Sequence, residues 1–401
     1  MSNAKHLTLP AGFVAGAVHC GIKTTAAEDL AILAGERDCS AAVLTTRNQV
    51  VGAPVLWIRR ILPRGYGRVR GVVVNSGCSN VCTGPGGLRD AEAMAALTAR
   101  ALGTTKEKVL VASTGIIGHR LPMAKIRAGI AAAAGRLGRD NDAAALRGIM
   151  TTDTRAKSAV AVARVGGRDV TVAGVAKGAG MIAPSLATMI SLLTTDAAVG
   201  PPLLHKALRR AAAGTFNAVT IDSDTSTSDT LVVLASGAAG NRPVREASRD
   251  YAALLAALTE VCASLARQIV ADGEGATKLV EVAVTGARGD GEAEAAAKSV
   301  ANSPLFKCAV HGGDPNWGRI AAALGKSAAR IVPQRLTIRI GGVTIFRGGT
   351  GRKFDLRRVE AHLAGREVRV DCDLGLGKGR FTALTCDLSR EYVTINADYH
   401  T

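Results

Sequence analysis

Aromatic side chains are scarce in this chain: two Trp, four Tyr and six Phe amount to 3% of 401 residues. So few rings leave little on which nucleobases could stack, and this argues against a nucleic-acid platform in spite of a formal net charge of +17. The densest basic stretch, Arg59, Arg60, Arg64, Arg68 and Arg70, is interrupted by Pro63 and glycines and reads as a solvated loop between strands. A basic field can also speed the capture of carboxylate substrates, an effect that salt weakens. No CxxC pair occurs among the eight cysteines; Cys78 with Cys82 reads as two buried thiols, and Cys308 with His311 lacks two further ligands at matching spacing, so no metal site is expected.

Other absences narrow the class further. The first ten residues, MSNAKHLTLP, show neither an apolar export segment nor an Arg-rich amphipathic one, which makes a cytoplasmic protein the expectation. Gly178 to Thr195 carries no charge, yet its Gly, Pro, Ser and Thr content makes it a poor membrane span. No repeat of 20 to 50 residues is evident. With 47% hydrophobic residues the chain can bury a substantial core, divided into two or three subdomains.

What is present alternates between strand and helix patterns. Val72 to Val74 and Lys108 to Ala112 are short apolar runs that exit into the polar turns Asn75-Ser76-Gly77 and Ser113-Thr114-Gly115. Asp90 to Leu102, Ala124 to Leu137 and Tyr251 to Ala271 carry apolar residues at helical spacing, the last ending at Asp272-Gly273. Lys157 to Val165 and Val170 to Ala176 alternate about Gly166-Gly167, a hairpin signal. Lys278 to Val284 reads as a strand, and Ser299 to Ala323 as two helical pieces around Asp314 to Gly318. From Leu336 the chain turns strand-rich, with a hairpin at Gly341-Gly342 and a loop at Gly375 to Gly379. The sum is an α+β fold of layered sheets and helices with a smaller strand-rich C-terminal subdomain, 286–401.

The stretch Lys177 to Met189, KGAGMIAPSLATM, stands apart. Gly178-x-Gly180-x-x-Ala183 imitates a dinucleotide fingerprint, but the β-branched run Thr188 to Thr195 leaves no room for the helix that this fingerprint requires. Two readings stay open on residue types alone. One is a buried strand with a Gly-rich lead-in. The other is a chain that cuts itself: Thr188 attacks the carbonyl of Ala187, and water opens the resulting ester. The new N-terminal Thr188 then has a hydroxyl nucleophile and, in its α-amine of reference pKa near ~8, its own base.

Several stretches together resemble the ornithine acetyltransferase (glutamate N-acetyltransferase) family of arginine biosynthesis. They are the Ala187-Thr188-Met189 loop, Asn75-Ser76-Gly77 with Cys82-Thr83-Gly84, Ser113-Thr114-Gly115 with Ile117-Gly118, Thr151-Thr152-Asp153-Thr154, Asp224-Thr225-Ser226, Asn302 to Leu305, Asp314 to Arg319 and Ile395 to Tyr399. The resemblance implies cleavage into 1–187 and 188–401, two chains that stay together as a pair of heterodimers, and a layered fold similar to the autoprocessed aminopeptidases. It implies that the acetyl group of N2-acetyl-L-ornithine passes through Thr188 to L-glutamate by a ping-pong route. Thr114 and Gly115 are implied as oxyanion donors, and Thr154, Lys177, Thr188, Glu274, Asn396 and Thr401 as the lining of the substrate pocket. Lys177 and Glu274 would supply opposite charges for a zwitterionic substrate. No cofactor is expected, with acetyl-CoA left open as a further acetyl donor.

Ser185-Leu186 replaces the family's frequent Asn-Met, Cys308 and His311 are not the usual residues of their motif, and His400 stands where Arg is frequent. None of these touches the nucleophile. Two other classes are weighed beside acetyl transfer. A self-cleaved N-terminal-Thr amidase or aminopeptidase would pass the acyl group to water, and a basic binding protein without catalysis would remain one intact chain.

Overall fold

Val72-Val73-Val74 and Leu231 to Ala235 are apolar at consecutive positions, the pattern of strands buried on both faces. In the computed structural model, which describes residues 6–183 and 189–398, both runs lie inside one sheet. Val72, Val74, Val232 and Leu234 turn into one apolar core, while Val73, Leu231 and Val233 face others on the opposite side, as the two-residue strand period requires. The sheet is built from β1 (Phe13–Val18), β2 (Leu30–Thr45), β3 (Tyr66–Cys78), β4 (Val109–Ile116), β5 (Lys157–Val165), β6 (Arg168–Lys177), β7 (Ile190–Thr195) and β8 (Thr230–Ala235). Its order is β4-β3-β2-β8-β7-β6-β5, with β1 on β2; β3 and β4 are parallel, as are β7 and β8.

A second sheet contains β9 (Leu279–Ala287), β10 (Thr337–Ile340), β11 (Val343–Arg347), β12 (Thr350–Gly351), β13 (Glu367–Asp373) and β14 (Gly379–Cys386), in the order β12-β11-β10-β13-β9-β14. The mixed, layered α+β architecture is therefore as the pattern suggested. The C-terminal boundary is not: position 286 falls inside β9, whose Val280, Val282 and Val284 belong to the second core, so the subdomain begins near Leu279.

Helices α1 (Ala53–Ile61), α2 (Gly84–Ala101), α3 (Met123–Ala134), α4 (Asp142–Ile149), α5 (Pro201–Ala213) and α6 (Arg249–Ala271) pack on the first sheet. Around the second lie α7 (Asp290–Ala301), α8 (Pro304–His311), α9 (Trp317–Gly325) and α10 (Leu356–Leu363), and α11 (Arg390–Asp398) closes the described chain. Asp314 to Gly318 joins α8 to α9 as expected, but a separate helix, α7, precedes them. The basic stretch also differs from its reading as a loop: Arg59 and Arg60 end α1, whose Val55, Trp57 and Ile58 are buried, and Arg68 and Arg70 lie on β3. The turn is confined to the residues around Pro63 and Gly65. By length and composition α6 could cross a membrane, yet Leu254, Leu258, Val261, Leu265 and Ile269 bury its apolar face against β5 and β6. The same helix touches β9 and β14, which ties the two sheets together where the chain turns at Asp272.

Candidate active site

The parallel pair β3 and β4 brings two polar exits into register, Asn75 beside Ser113, Ser76 beside Thr114 and Gly77 beside Gly115. Neither segment is the turn expected from sequence, since both continue their strands; Ser113 Oγ donates to Asn75 Oδ1 at 2.6 Å, and Asn75 Nδ2 donates to the Cys78 carbonyl at 2.8 Å, so side chains tie the two strand ends together. Gly115 has φ +123°, and a Cβ there would stand 2.4 Å from the Gly77 carbonyl carbon. Only glycine fits that approach, which presents the Thr114-Gly115 backbone at the rim of a pocket of about 110 Å³.

Lys177, the last residue of β6, enters this pocket from below and is buried, its Nζ donating to Thr114 Oγ1 at 3.2 Å. Burial lowers its pKa, opposed chiefly by Asp153 and more weakly by Glu274 and Asp229, while Lys157 adds to the lowering. Asp153 is the counterweight. Its Oδ1 accepts Lys157 Nζ at 2.6 Å and the Gly178 N–H at 2.6 Å. Burial would raise its pKa, but Lys177, Lys157 and that N–H together hold it down to about 2. Asp272, at the end of α6, pairs with Lys157 from the other side. Lys177 is thus backed by a buried cluster of Asp153, Lys157 and Asp272.

Glu274 and Asn396 form the opposite wall. The Glu274 N–H donates to the Ala179 carbonyl at 2.8 Å, which brings its carboxylate beside Gly180, and Asn396 Nδ2 on α11 donates to Glu274 Oε2 at 2.9 Å. Thr151, Thr152 and Ser226 to Ser228 also line the pocket.

Five of the expected residues, Thr114, Gly115, Lys177, Glu274 and Asn396, therefore converge on one pocket although they are up to 282 positions apart. Thr154 does not join them. Its hydroxyl and N–H are both taken by Asp272, and it borders a separate cleft; Thr151 and Thr152 from the same motif face the pocket in its place. Ala187, Thr188 and Thr401 lie outside the described residues. The fingerprint-like glycines enter no helix among the described residues: Gly178 to Ala183 is coil, and Met189 leads into β7. Cys78 is buried while Cys82 is exposed, so they are not the two buried thiols expected, and His311 pairs with Asp387 at 2.7 Å.

Sequence reasoning missed Lys157, Asp272, Asp222 and Asp229, and it gave Asp153 no role of its own. A lysine opening a strand that alternates apolar residues, as Lys157 does in β5, is the one local sign that a buried counter-charge is near.

Residues 14–401 match the model of the ArgJ family. The chain belongs to the ArgJ family. It is 46% identical over 400 residues to the arginine biosynthesis bifunctional protein ArgJ of Symbiobacterium thermophilum, covering 98% of each chain. Identity to the protein of that name from Mycolicibacterium paratuberculosis is 47% over 403 residues, 98% of this chain and 96% of that one. A solved ArgJ chain from Bacillus halodurans superposes with a TM-score of 0.50 at 41% identity, covering 51% of this chain and 97% of its own length. As a member of this family the chain is an acyltransferase of arginine biosynthesis.

Proposed function

We propose that this ArgJ-family enzyme opens its own chain between Ala187 and Thr188 and then moves the acetyl group of N2-acetyl-L-ornithine to L-glutamate through an acetyl-Thr188 intermediate. The observation that carries the reading is the convergence of a buried cation, Lys177, a carboxylate, Glu274, and the Thr114-Gly115 end of β4 on one pocket. The chain that leads to Thr188 leaves this pocket through Gly180 and Met181 and resumes at Met189, which is buried.

The substrate is a zwitterion, with a carboxylate suited to Lys177 and a side-chain ammonium suited to Glu274. The Thr188 hydroxyl attacks the acetyl carbonyl, and the proton it gives up travels by way of the α-amine to the departing amine of ornithine. Donors at Thr114 and Gly115 would stabilise the oxyanion of each tetrahedral intermediate, single donors being worth about 3 to 4 kcal/mol in other enzymes. Glutamate then takes the acetyl group by the reverse sequence. Every group in this scheme is a side chain or main-chain atom, so no cofactor is required. Acetyl-CoA as a second donor to glutamate would enter at the same acetyl-Thr188 stage.

The topology also supports two chains that remain together. β8 and β7 follow the break, and they are flanked in the sheet by β2 and β6, which precede it. Separation of the products would cost the hydrogen bonds of both ladders. The solved Bacillus halodurans chain matches over nearly its whole length yet spans half of this one, the proportion expected of one product of a break near mid-chain. We also propose a cytoplasmic enzyme assembled from two of each chain.

Intact mass spectrometry of the purified protein tests the reading, with Thr188→Ala as control. Two chains, the second beginning TMISLL, together with glutamate-dependent turnover of acetylornithine, are expected. One uncut chain in folded protein would overturn it, and turnover at full speed without glutamate would favour the amidase.

A further inference from the structure

The two flanks of the Ala187-Thr188 junction are held by one short segment of the chain. Upstream, the N–H groups of Met181 and Ile182 donate to the two carboxylate oxygens of Asp222 at 2.5 and 2.7 Å, and the Ile221 N–H donates to the Ile182 carbonyl at 2.7 Å. Downstream, the Met189 N–H donates to Asp229 Oδ1 at 3.0 Å, and the Thr230 N–H donates to the Met189 carbonyl at 3.0 Å. Met181 is held at φ +56°, a left-handed conformation that non-glycine residues keep only where the surroundings enforce it.

Asp229 is unusual for a residue that caps a turn. It is 1% exposed, and its second oxygen is buried without a hydrogen-bond partner among the described residues. Burial raises its pKa well above the carboxylate range, against the opposing pull of the Met189 N–H, Ser226, Lys177 and Thr46. A neutral carboxyl still accepts an N–H through its carbonyl oxygen and avoids the cost of an unpaired buried charge.

We propose that Asp222 and Asp229 act as a two-point clamp that holds both flanks of the junction for chain opening, and that Asp229 afterwards positions Thr188 for acyl transfer through the Met189 N–H. The proposal rests on the reading of Thr188 given above. In the opening step the Thr188 hydroxyl oxygen bonds to the Ala187 carbonyl carbon, the Ala187-Thr188 C–N bond breaks, and the hydroxyl proton ends on the freed amine. Water then hydrolyses the ester to the Ala187 carboxylic acid and the Thr188 hydroxyl. Neither aspartate exchanges atoms in this sequence. Both are positioning residues, and their effect is on the approach of oxygen to carbon, where a 1 Å error costs on the order of 10²-fold in rate.

The test follows chain opening by intact mass during cell-free synthesis of the full chain and its variants Asp229→Asn, Asp229→Leu and Asp222→Leu. Asp229→Asn keeps a neutral acceptor for Met189 and is expected to open within ~5-fold of the unaltered rate. The two Leu variants fill the space without an acceptor and are expected to open on the order of 10²-fold more slowly. Whatever Asp229→Leu protein does open should show a lowered kcat with acetylornithine at an unchanged KM. Opening of the Leu variants at the unaltered rate, or failure of Asp229→Asn to the same degree as Asp229→Leu, overturns the clamp. Should Asp229→Leu not fold, Asp229→Asn alone decides, near-normal opening supporting the clamp and blocked opening refuting it. An unaltered chain that never opens removes the reading of Thr188 itself, whereas an opening chain with indifferent Leu variants removes only the clamp.

Discussion

Gly180→Ala separates substrate recognition from chain opening. A Cβ on Gly180 would stand 2.3 Å from Glu274 Oε2, 2.5 Å from its Cδ and 2.7 Å from Oε1. The obstacle is the end of a flexible side chain rather than backbone, so the chain can fold if the Glu274 carboxylate withdraws by about 1 Å, a misplacement large enough to matter in a polar site. That withdrawal also breaks the 2.9 Å bond from Asn396. The ammonium of acetylornithine would lose a charge-assisted partner, worth about 1.5 to 3 kcal/mol, which converts to a fall of roughly 10- to 150-fold in kcat/KM. Most of it should appear as a higher KM, because the contact is made equally in the ground and transition states. The assay is steady-state acetyl transfer to glutamate over a range of acetylornithine concentrations, with Glu274→Gln as the matching variant and intact mass as the record of opening. Unchanged kcat/KM in Gly180→Ala would refute the role given to Glu274. Opening abolished in Gly180→Ala but preserved in Glu274→Gln would show that Gly180 serves the break instead.

Gly115→Ala should lower kcat by about 10²- to 10³-fold, the cost of one oxyanion donor, because its Cβ meets the Gly77 backbone and the two parallel strands must part; a kcat within a few-fold of normal in folded protein would argue against an oxyanion role. Lys177→Met is expected to cut kcat/KM for acetylornithine at least ~10-fold by removing the partner of its carboxylate, with a smaller effect on an analogue lacking that carboxylate; equal losses on both would place Lys177 elsewhere in the reaction. The pH dependence follows from Asp153. Its folded pKa, about 2, is depressed below the unfolded value near ~3.9, so its contribution is fully present above about pH 4 and is lost as pH falls through about 2. Urea unfolding should therefore find Asp153→Asn less stable near neutrality by an amount on the order of 2 kcal/mol or more, a gap that narrows from pH 4 downward. A gap independent of pH would contradict the depressed pKa.

Most of the scaffold could be read from side-chain period alone. Gly166-Gly167 marked the β5–β6 hairpin, Asp272-Gly273 marked the end of α6, and the apolar runs Val72 to Val74 and Lys108 to Ala112 marked β3 and β4. Those signals are local, and local chemistry was enough for them. α1 was missed because its two charges, Arg59 and Arg60, run into the basic stretch that follows, while its buried face is carried by Val55, Trp57 and Ile58. The first strand of the C-terminal subdomain was cut at 286 because alternation in β9 continues a pattern that could belong to either sheet; only pairing with β13 and β14 assigns it. The site shows the same division. Thr154 and Thr151 are alike as letters, and the choice between them is made by Asp272, 118 positions from Thr154, which occupies one and leaves the other facing the pocket. Asp153, Asp222, Asp229 and Asp272 each stand where an aspartate commonly caps a turn, and capping is what a reading of neighbours along the chain would assign. Their depth cannot be inferred that way. Burial is set by the meeting of β6, α6 and the approach to β8, and it turns ordinary caps into enclosed carboxyls that hold Lys157 and the flanks of the proposed break. The motifs therefore named the chemistry while the tertiary packing chose the groups that aim it.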